Sequence, residues 1–123
     1  MKVLICDDDK CIVDEIKNNL NTFSDKHRIV FDIDLFYNGV ELLNSNISYD
    51  MAFIDIEMPL VNGLTLSAQL KKVNSNIIIF IITSHDAYLD DAMDLDVFRY
   101  LSKPIDNNRF FIRLLIIFIP ILK

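Results

Sequence analysis

Short apolar runs alternate along this chain with longer stretches whose apolar residues recur every three or four positions. Val3–Cys6 is such a run and predicts a buried first strand. Ile12, Val13, Ile16, Leu20 and Phe23 follow at helical spacing, with Asp14, Glu15, Lys17 and Asn18 on the opposite face. Ile29–Phe36 predicts a second strand, and its Asp32 and Asp34 make one side polar, as suits a place near a sheet edge. Asn38-Gly39 predicts a turn and Val40–Leu43 the start of a short helix. Met51–Ile54 predicts a third strand ending in Asp55, and Leu64, Leu66, Ala68 and Leu70 fit a third helix. Ile77–Ile82 is unbroken Ile and Phe, which predicts a strand covered on both faces. Ala87–Leu95 predicts a weaker acidic helix, Val97–Leu101 a fifth strand, and Asn107 onward a last helix.

Five strand-then-helix units of roughly 25 residues each predict an α/β fold: a doubly wound five-stranded parallel sheet with helices on both faces. Right-handed crossovers put the carboxyl ends of all strands on one rim, which is where such sheets bind ligands. Strand one delivers Asp7 and Asp8 there, strand three Asp55, strand four Thr83 and Ser84, and strand five is followed by Lys103-Pro104.

Adjacent carboxylates repel, and in a partly dry site they take up protons unless a cation holds them ionised. The cation that suits them is Mg²⁺ (or Mn²⁺), a hard ion that takes oxygen ligands and keeps several waters. Asp8, Asp55 and the backbone carbonyl of Glu57 would hold it, and Asp7, in the same metal site, would orient metal-bound water. Phosphoryl transfer chemistry follows: Asp55 as the nucleophile that forms an acyl phosphate, Lys103 as a fixed positive charge, and Thr83 as a hydroxyl donor to a phosphoryl oxygen. Ser84 offers the same hydroxyl as Thr83, and alternation along the strand decides between them. Asp9 reads as a helix-start residue near the positive end of the dipole. Pro104 marks a specified turn, since a residue before proline is held extended. Gly63 is expected to permit a tight turn beyond Pro59 through its tolerance of positive φ.

Composition narrows the picture. The 123 residues are one domain's worth of chain, and 52% hydrophobic content excludes a disordered tail. A net charge of -6 makes direct binding of nucleic acid or an anionic membrane a poor fit. Cys6 and Cys11 have no secretory signal ahead of them and no ligand-spaced partners, so they read as a buried thiol and a helix-start thiol in a reducing cytoplasm. No repeat, linker or composition shift divides residues 1–123.

"VLICDDD", "FIDIEMPLVNG", "FIITSH" and "FRYLSKPI" occur in order, and together the chain resembles bacterial two-component response-regulator receiver domains of the CheY-like superfamily from about Lys2 to Phe110. The stretch "TSHDAYLDDAMDLDVFRYLSKPI" is most similar to receivers attached to LytTR-type DNA-binding domains. The resemblance implies a flavodoxin-like (βα)5 fold, Mg²⁺, and phosphorylation of Asp55 by a phosphohistidine on a sensor histidine kinase. It also implies that Thr83 and the strand-five aromatic Tyr100 swing inward afterwards. His85 would flank the phosphoryl pocket, and the acidic stretch Asp86–Asp96 would be a face where partners dock. A transcriptional output domain would lie outside these residues. The competing readings are a stand-alone receiver acting by protein contact or as a phosphate sink, a phosphatase of the haloacid dehalogenase type with Glu57 as acid/base, and a flavodoxin-like cofactor binder. The last is disfavoured because three aspartates after strand one would repel a phosphate.

The end of the chain departs from the pattern. "RFFIRLLIIFIPILK" over 109–123 is apolar nearly all round, yet shorter than the roughly 20 residues needed to cross a bilayer. A helix apolar on every side must be buried by something. A homodimer or domain swap or a docked partner would supply the cover, or the cover belongs to a natural continuation lost from these residues.

Overall fold

The computed structural model describes residues 1–84 and 98–122. The elements are β1 (Lys2–Cys6), α1 (Lys10–His27), β2 (Asp32–Phe36), α2 (Val40–Leu43), β3 (Met51–Asp55), α3 (Gly63–Val73), β4 (Ile78–Thr83), β5 (Phe98–Ser102) and α4 (Asn107–Leu122). His85, the expected acidic helix Ala87–Leu95, the docking face Asp86–Asp96 and Val97 lie outside the described residues.

All the strands pair in parallel in one five-stranded sheet of order β2-β1-β3-β4-β5. The doubly wound expectation therefore holds, with β2 at an edge and β4 in the interior. β2 begins later than the expected Ile29. Ile29 and Phe31 instead pack against the core ahead of the ladder, whose first pair is Lys2 with Asp32.

Side chains alternate across each strand, so the sheet has two dry faces. On one, Val3, Ile5, Met51, Phe53, Phe80 and Ile82 meet Val13, Ile16, Leu20 and Phe23 of α1 and Phe110, Leu114 and Phe118 of α4. Phe53 stacks on Phe80 at 4.9 Å between ring centroids and on Phe110 at 5.5 Å, which locks α4 onto the sheet. On the other, Leu4, Cys6, Ala52, Ile54, Ile79 and Ile81 meet Leu42, Val61, Leu66 and Leu70.

Local chemistry sets the helix ends. Asp9 caps α1, its carboxylate accepting from the Cys11 N–H at 2.9 Å, and Arg28 closes it in the left-handed region at φ 56°. Within α3 the expected inward residue Ala68 is exposed and Ser67 is buried instead. The Ser67 hydroxyl donates to the Gly63 carbonyl at 2.7 Å, so it goes inside without an unsatisfied group. Within this chain α4 is covered on one side only. Phe110, Leu114 and Phe118 are buried, whereas Ile112, Ile116 and Ile119 form an exposed stripe. Among the described residues no helix is long and apolar enough to cross a membrane.

Candidate functional site

The backbone ladder continues past the strand ends and fixes the residues that follow them. The Asp7 N–H donates to the Phe36 carbonyl at 3.1 Å, that of Ile56 to Ile82 at 3.1 Å, and that of Lys103 to Thr83 at 2.9 Å. Asp7, Asp55 and Lys103 thereby become rigid fixtures of one rim rather than loop residues. One carboxylate oxygen from each of Asp7, Asp8 and Asp55 lies within 4.8 Å of the others. Lys103 Nζ stands 3.0 Å from Asp7 Oδ2 and 3.5 Å from Asp55 Oδ2.

Burial makes this an unbalanced cluster. Asp7 is sealed completely and Asp55 is 4% exposed, while Asp8 opens to solvent. Asp7 Oδ1 accepts from the Asp9 N–H at 2.9 Å and Asp55 Oδ1 from the Glu57 N–H at 3.3 Å. Among the described residues Asp7 Oδ2 has no hydrogen bond of good geometry despite its ion pair with Lys103. Burial, then the Asp7 charge, pushes the Asp55 carboxyl up to about 7, against the pull of Lys103 and the Glu57 N–H. Burial also raises Asp7, against the pull of the Asp9 N–H and Lys103. For Lys103 burial works toward loss of the proton, but Asp7 and Asp55 outweigh it and hold the ammonium charged.

One ammonium thus serves two buried carboxylates, with an under-satisfied anionic oxygen between them. That is a donor set suited to a hard divalent cation: oxygen ligands only, an open side at Asp8, and excess negative charge.

The loop from Asp55 to Gly63 forms one wall. The Gly63 N–H donates back to the Ile56 carbonyl at 3.1 Å, and the Asn62 side chain caps α3 by accepting from the Leu64 N–H at 2.7 Å. Gly63 does not have the positive φ expected of it; no glycine does. Its requirement is space, because a Cβ there would sit 2.2 Å from the Asp55 carbonyl oxygen and 2.8 Å from Ile56 Cα. The positive φ belongs to Leu60, at 72°. Pro59 is exposed just before it. Cys6 closes the loop from below, its thiol against the Asn38 carbonyl at 3.4 Å and Met58 Sδ at 3.6 Å. Burial and the nearby aspartates push that thiol up to about 12, so it stays protonated and unreactive. Cys11 is exposed, as expected of a helix-start thiol.

The sequence-predicted residues divide as follows. Asp7, Asp8, Asp55 and Lys103 are brought together. Thr83 is buried as the last residue of β4, while Ser84 after it is exposed. Tyr100 lies opposite Ile81 and packs half-buried against the α3-side cluster. Glu57 is exposed, immediately after the site's acids, and Pro104 follows Lys103 through a cis peptide bond. Leu60 went unremarked in the sequence. Its signal was positional: a bulky residue within a nine-residue Asp-to-Gly loop at the place where the chain has to reverse.

The family model for the response regulator receiver domain matches residues 3–115. The chain is 31% identical over 109 residues to the sensory transduction protein LytT of Bacillus anthracis, covering 89% of this chain and 44% of that protein. It is 32% identical over 111 residues to the transcriptional regulatory protein BtsR of Escherichia coli K12, again covering 89% of this chain and 44% of that one. The chain thus spans less than half the length of these curated relatives. Among solved structures, the receiver domain of the Francisella response regulator 1452 superposes with a TM-score of 0.70 at 32% identity, covering 94% of this chain and 93% of that one. The BeF3-activated DrrB receiver domain superposes at 0.77 with 18% identity, covering 92% of each, and supports the fold. The chain belongs to the response-regulator receiver family.

Proposed function

We propose that this receiver accepts a phosphoryl group on Asp55 from a phosphohistidine of a sensor histidine kinase, and that the modification shifts the population of its signalling surface. The observation that carries the reading is Lys103 between two sealed carboxylates, Asp7 at 3.0 Å and Asp55 at 3.5 Å. An Asp55 oxygen attacks phosphorus and the new O–P bond forms as the donor's N–P bond breaks, the imidazole leaving with a proton. Asp7, Asp8, Asp55 and the Glu57 carbonyl would hold Mg²⁺ or Mn²⁺, which when bound neutralises charge on the phosphoryl oxygens. Lys103, 3.5 Å from Asp55 Oδ2 before transfer, keeps its positive charge beside the phosphoryl group. The buried Thr83 hydroxyl donates to a phosphoryl oxygen, and Tyr100 follows it inward from β5.

The activity is one self-catalysed transfer and its slow reversal by water, not turnover of a free substrate. The chain binds no nucleic acid itself. It works in the cytoplasm, and the names of its longer relatives support control of transcription through an output domain. Labelling with acetyl phosphate and magnesium should place one phosphoryl group per chain on Asp55, and Asp55→Asn should abolish it. Unchanged labelling of that variant would overturn the assignment, and release of many phosphates per chain would point to a phosphatase instead.

A further inference from the structure

Between them, α1 and α4 leave an open-sided groove of about 510 Å³. Phe23 of α1, 1% exposed, lies at its base with the His27 ring 4.4 Å away between centroids. Phe111, Ile112 and Leu115 form the α4 wall. Folding alone does not ask for so apolar a wall. Phe110, Leu114 and Phe118 already anchor the helix, whereas Phe111 and Leu115 are only partly buried and Ile112 is 57% exposed.

The polar groups of the groove favour one sign of charge. Lys26, His27 and Asn108 line it, and each can donate a hydrogen bond. Thr22 also lines it, but its hydroxyl is committed to the Asn18 carbonyl at 3.0 Å. No acid among the described residues lines the groove, although the chain carries 18. Among the described residues Lys26 has no ion-pair partner. An unpaired ammonium beside an apolar slot, in a chain of net charge -6, makes this a local site for an anion on a molecule that repels anions as a whole.

Size and charge together choose the occupant. From Asn108 to Leu115 the α4 wall covers about 10 Å of helix axis, a short seat for a partner's helix. The volume falls within the range of about 300–1,000 Å³ that small-molecule sites occupy. A second copy suits the face poorly. Arg109 and Arg113 line the neighbouring groove on the far side of Ile112, so pairing about Ile112 would set Lys26 and both arginines against a second set of the same cations.

We propose that the α1–α4 groove binds a medium-chain carboxylate, its apolar tail along Phe23, Phe111 and Leu115 and its anionic head at Lys26 and His27. The site shares no residue with the acid cluster and stands independently of the reading of Asp55.

The test sets decanoate against decyltrimethylammonium, which has the same tail and the opposite head. Each is titrated into the full chain below its micelle concentration and followed by NMR. Decanoate should give saturable shifts at Phe23, His27, Phe111 and Leu115, and the cation should bind at least about tenfold more weakly. Net charge alone would favour the cation, so that order can come only from the groove's own groups. Lys26 is exposed, so Lys26→Glu should leave the fold intact and weaken decanoate at least about fivefold. Equal or tighter binding of the cation, or unchanged decanoate affinity in Lys26→Glu, overturns the proposal. So do shifts that never saturate, or that centre on the exposed Ile116 and Ile119, since these mark adsorption to the apolar stripe rather than a site.

Discussion

The strongest constraint on any single residue here falls on Asp55, which is buried beside another acid with one cation to share. Its carboxyl takes up a proton near pH 7 in the native chain, against an ordinary value of 3.8. Between those values the folded state holds more protons than the unfolded one, so Asp55's contribution to stability is present below pH 4 and is lost as pH rises through 7. In magnesium-free buffer, Asp55→Asn should therefore gain on wild type as the pH rises from 5 to 8, by roughly 1–4 kcal/mol in unfolding free energy from denaturant titrations. A gap independent of pH would show that Asp55 ionises normally. Gly63 gives a second prediction at this scale. Gly63→Ala must displace the Asp55 carbonyl or Ile56 backbone, since its Cβ would lie 2.2 Å and 2.8 Å from them. A loss of about 3 kcal/mol or more, with slower uptake of phosphoryl groups, is expected from urea unfolding and acetyl phosphate labelling.

Among the elements, α4 separates what periodicity tells from what it cannot. Its inner residues Phe110, Leu114 and Phe118 sit four apart and close the core over Phe53 and Phe23. Its outer isoleucines, Ile112, Ile116 and Ile119, contribute little to folding because they stay in water. Leu114→Ala should cost about 2–5 kcal/mol, whereas Ile116→Lys should change stability by less than about 0.5 kcal/mol while reducing association at high protein concentration, seen by sedimentation. The inner strands were legible as short unbroken apolar runs and α1 by its helical period, and Asp7, Asp55 and Lys103 because each stands at or just past the end of a strand of one parallel sheet. A uniformly apolar helix carries no such contrast, so its buried side could not be chosen from sequence. Ser67 and Ala68 were exchanged for a related reason: a hydroxyl bonded to its own helix behaves as an apolar group. Gly63 was misread and Leu60 passed over because the need for space and the need for a left-handed φ both look like "turn" in a string of letters.

For the whole molecule the question is how a change at Asp55 reaches a surface. The alternation of the sheet gives the route. Asp55 continues the parity of Phe53, on the α1 and α4 face, while Thr83 continues that of Ile79 and Ile81, on the opposite face. Tyr100 is paired with Ile81 on that same opposite face. A phosphoryl group on Asp55 that engages the Thr83 hydroxyl would thus pull on the far side of the sheet, two positions along β4 from the register partner of Tyr100. Beryllofluoride with magnesium mimics that group, so adding both should shift the NMR signals of Thr83 and Tyr100 along with those of Asp8 and Lys103. In Thr83→Ala the ligand should still bind and perturb Asp8 and Lys103, but the Tyr100 response should shrink to less than about half, because the hydroxyl linking the two faces is gone. A Tyr100 shift of full size in that variant would mean the signal crosses the sheet elsewhere, and the coupling assigned to Thr83 would have to be abandoned.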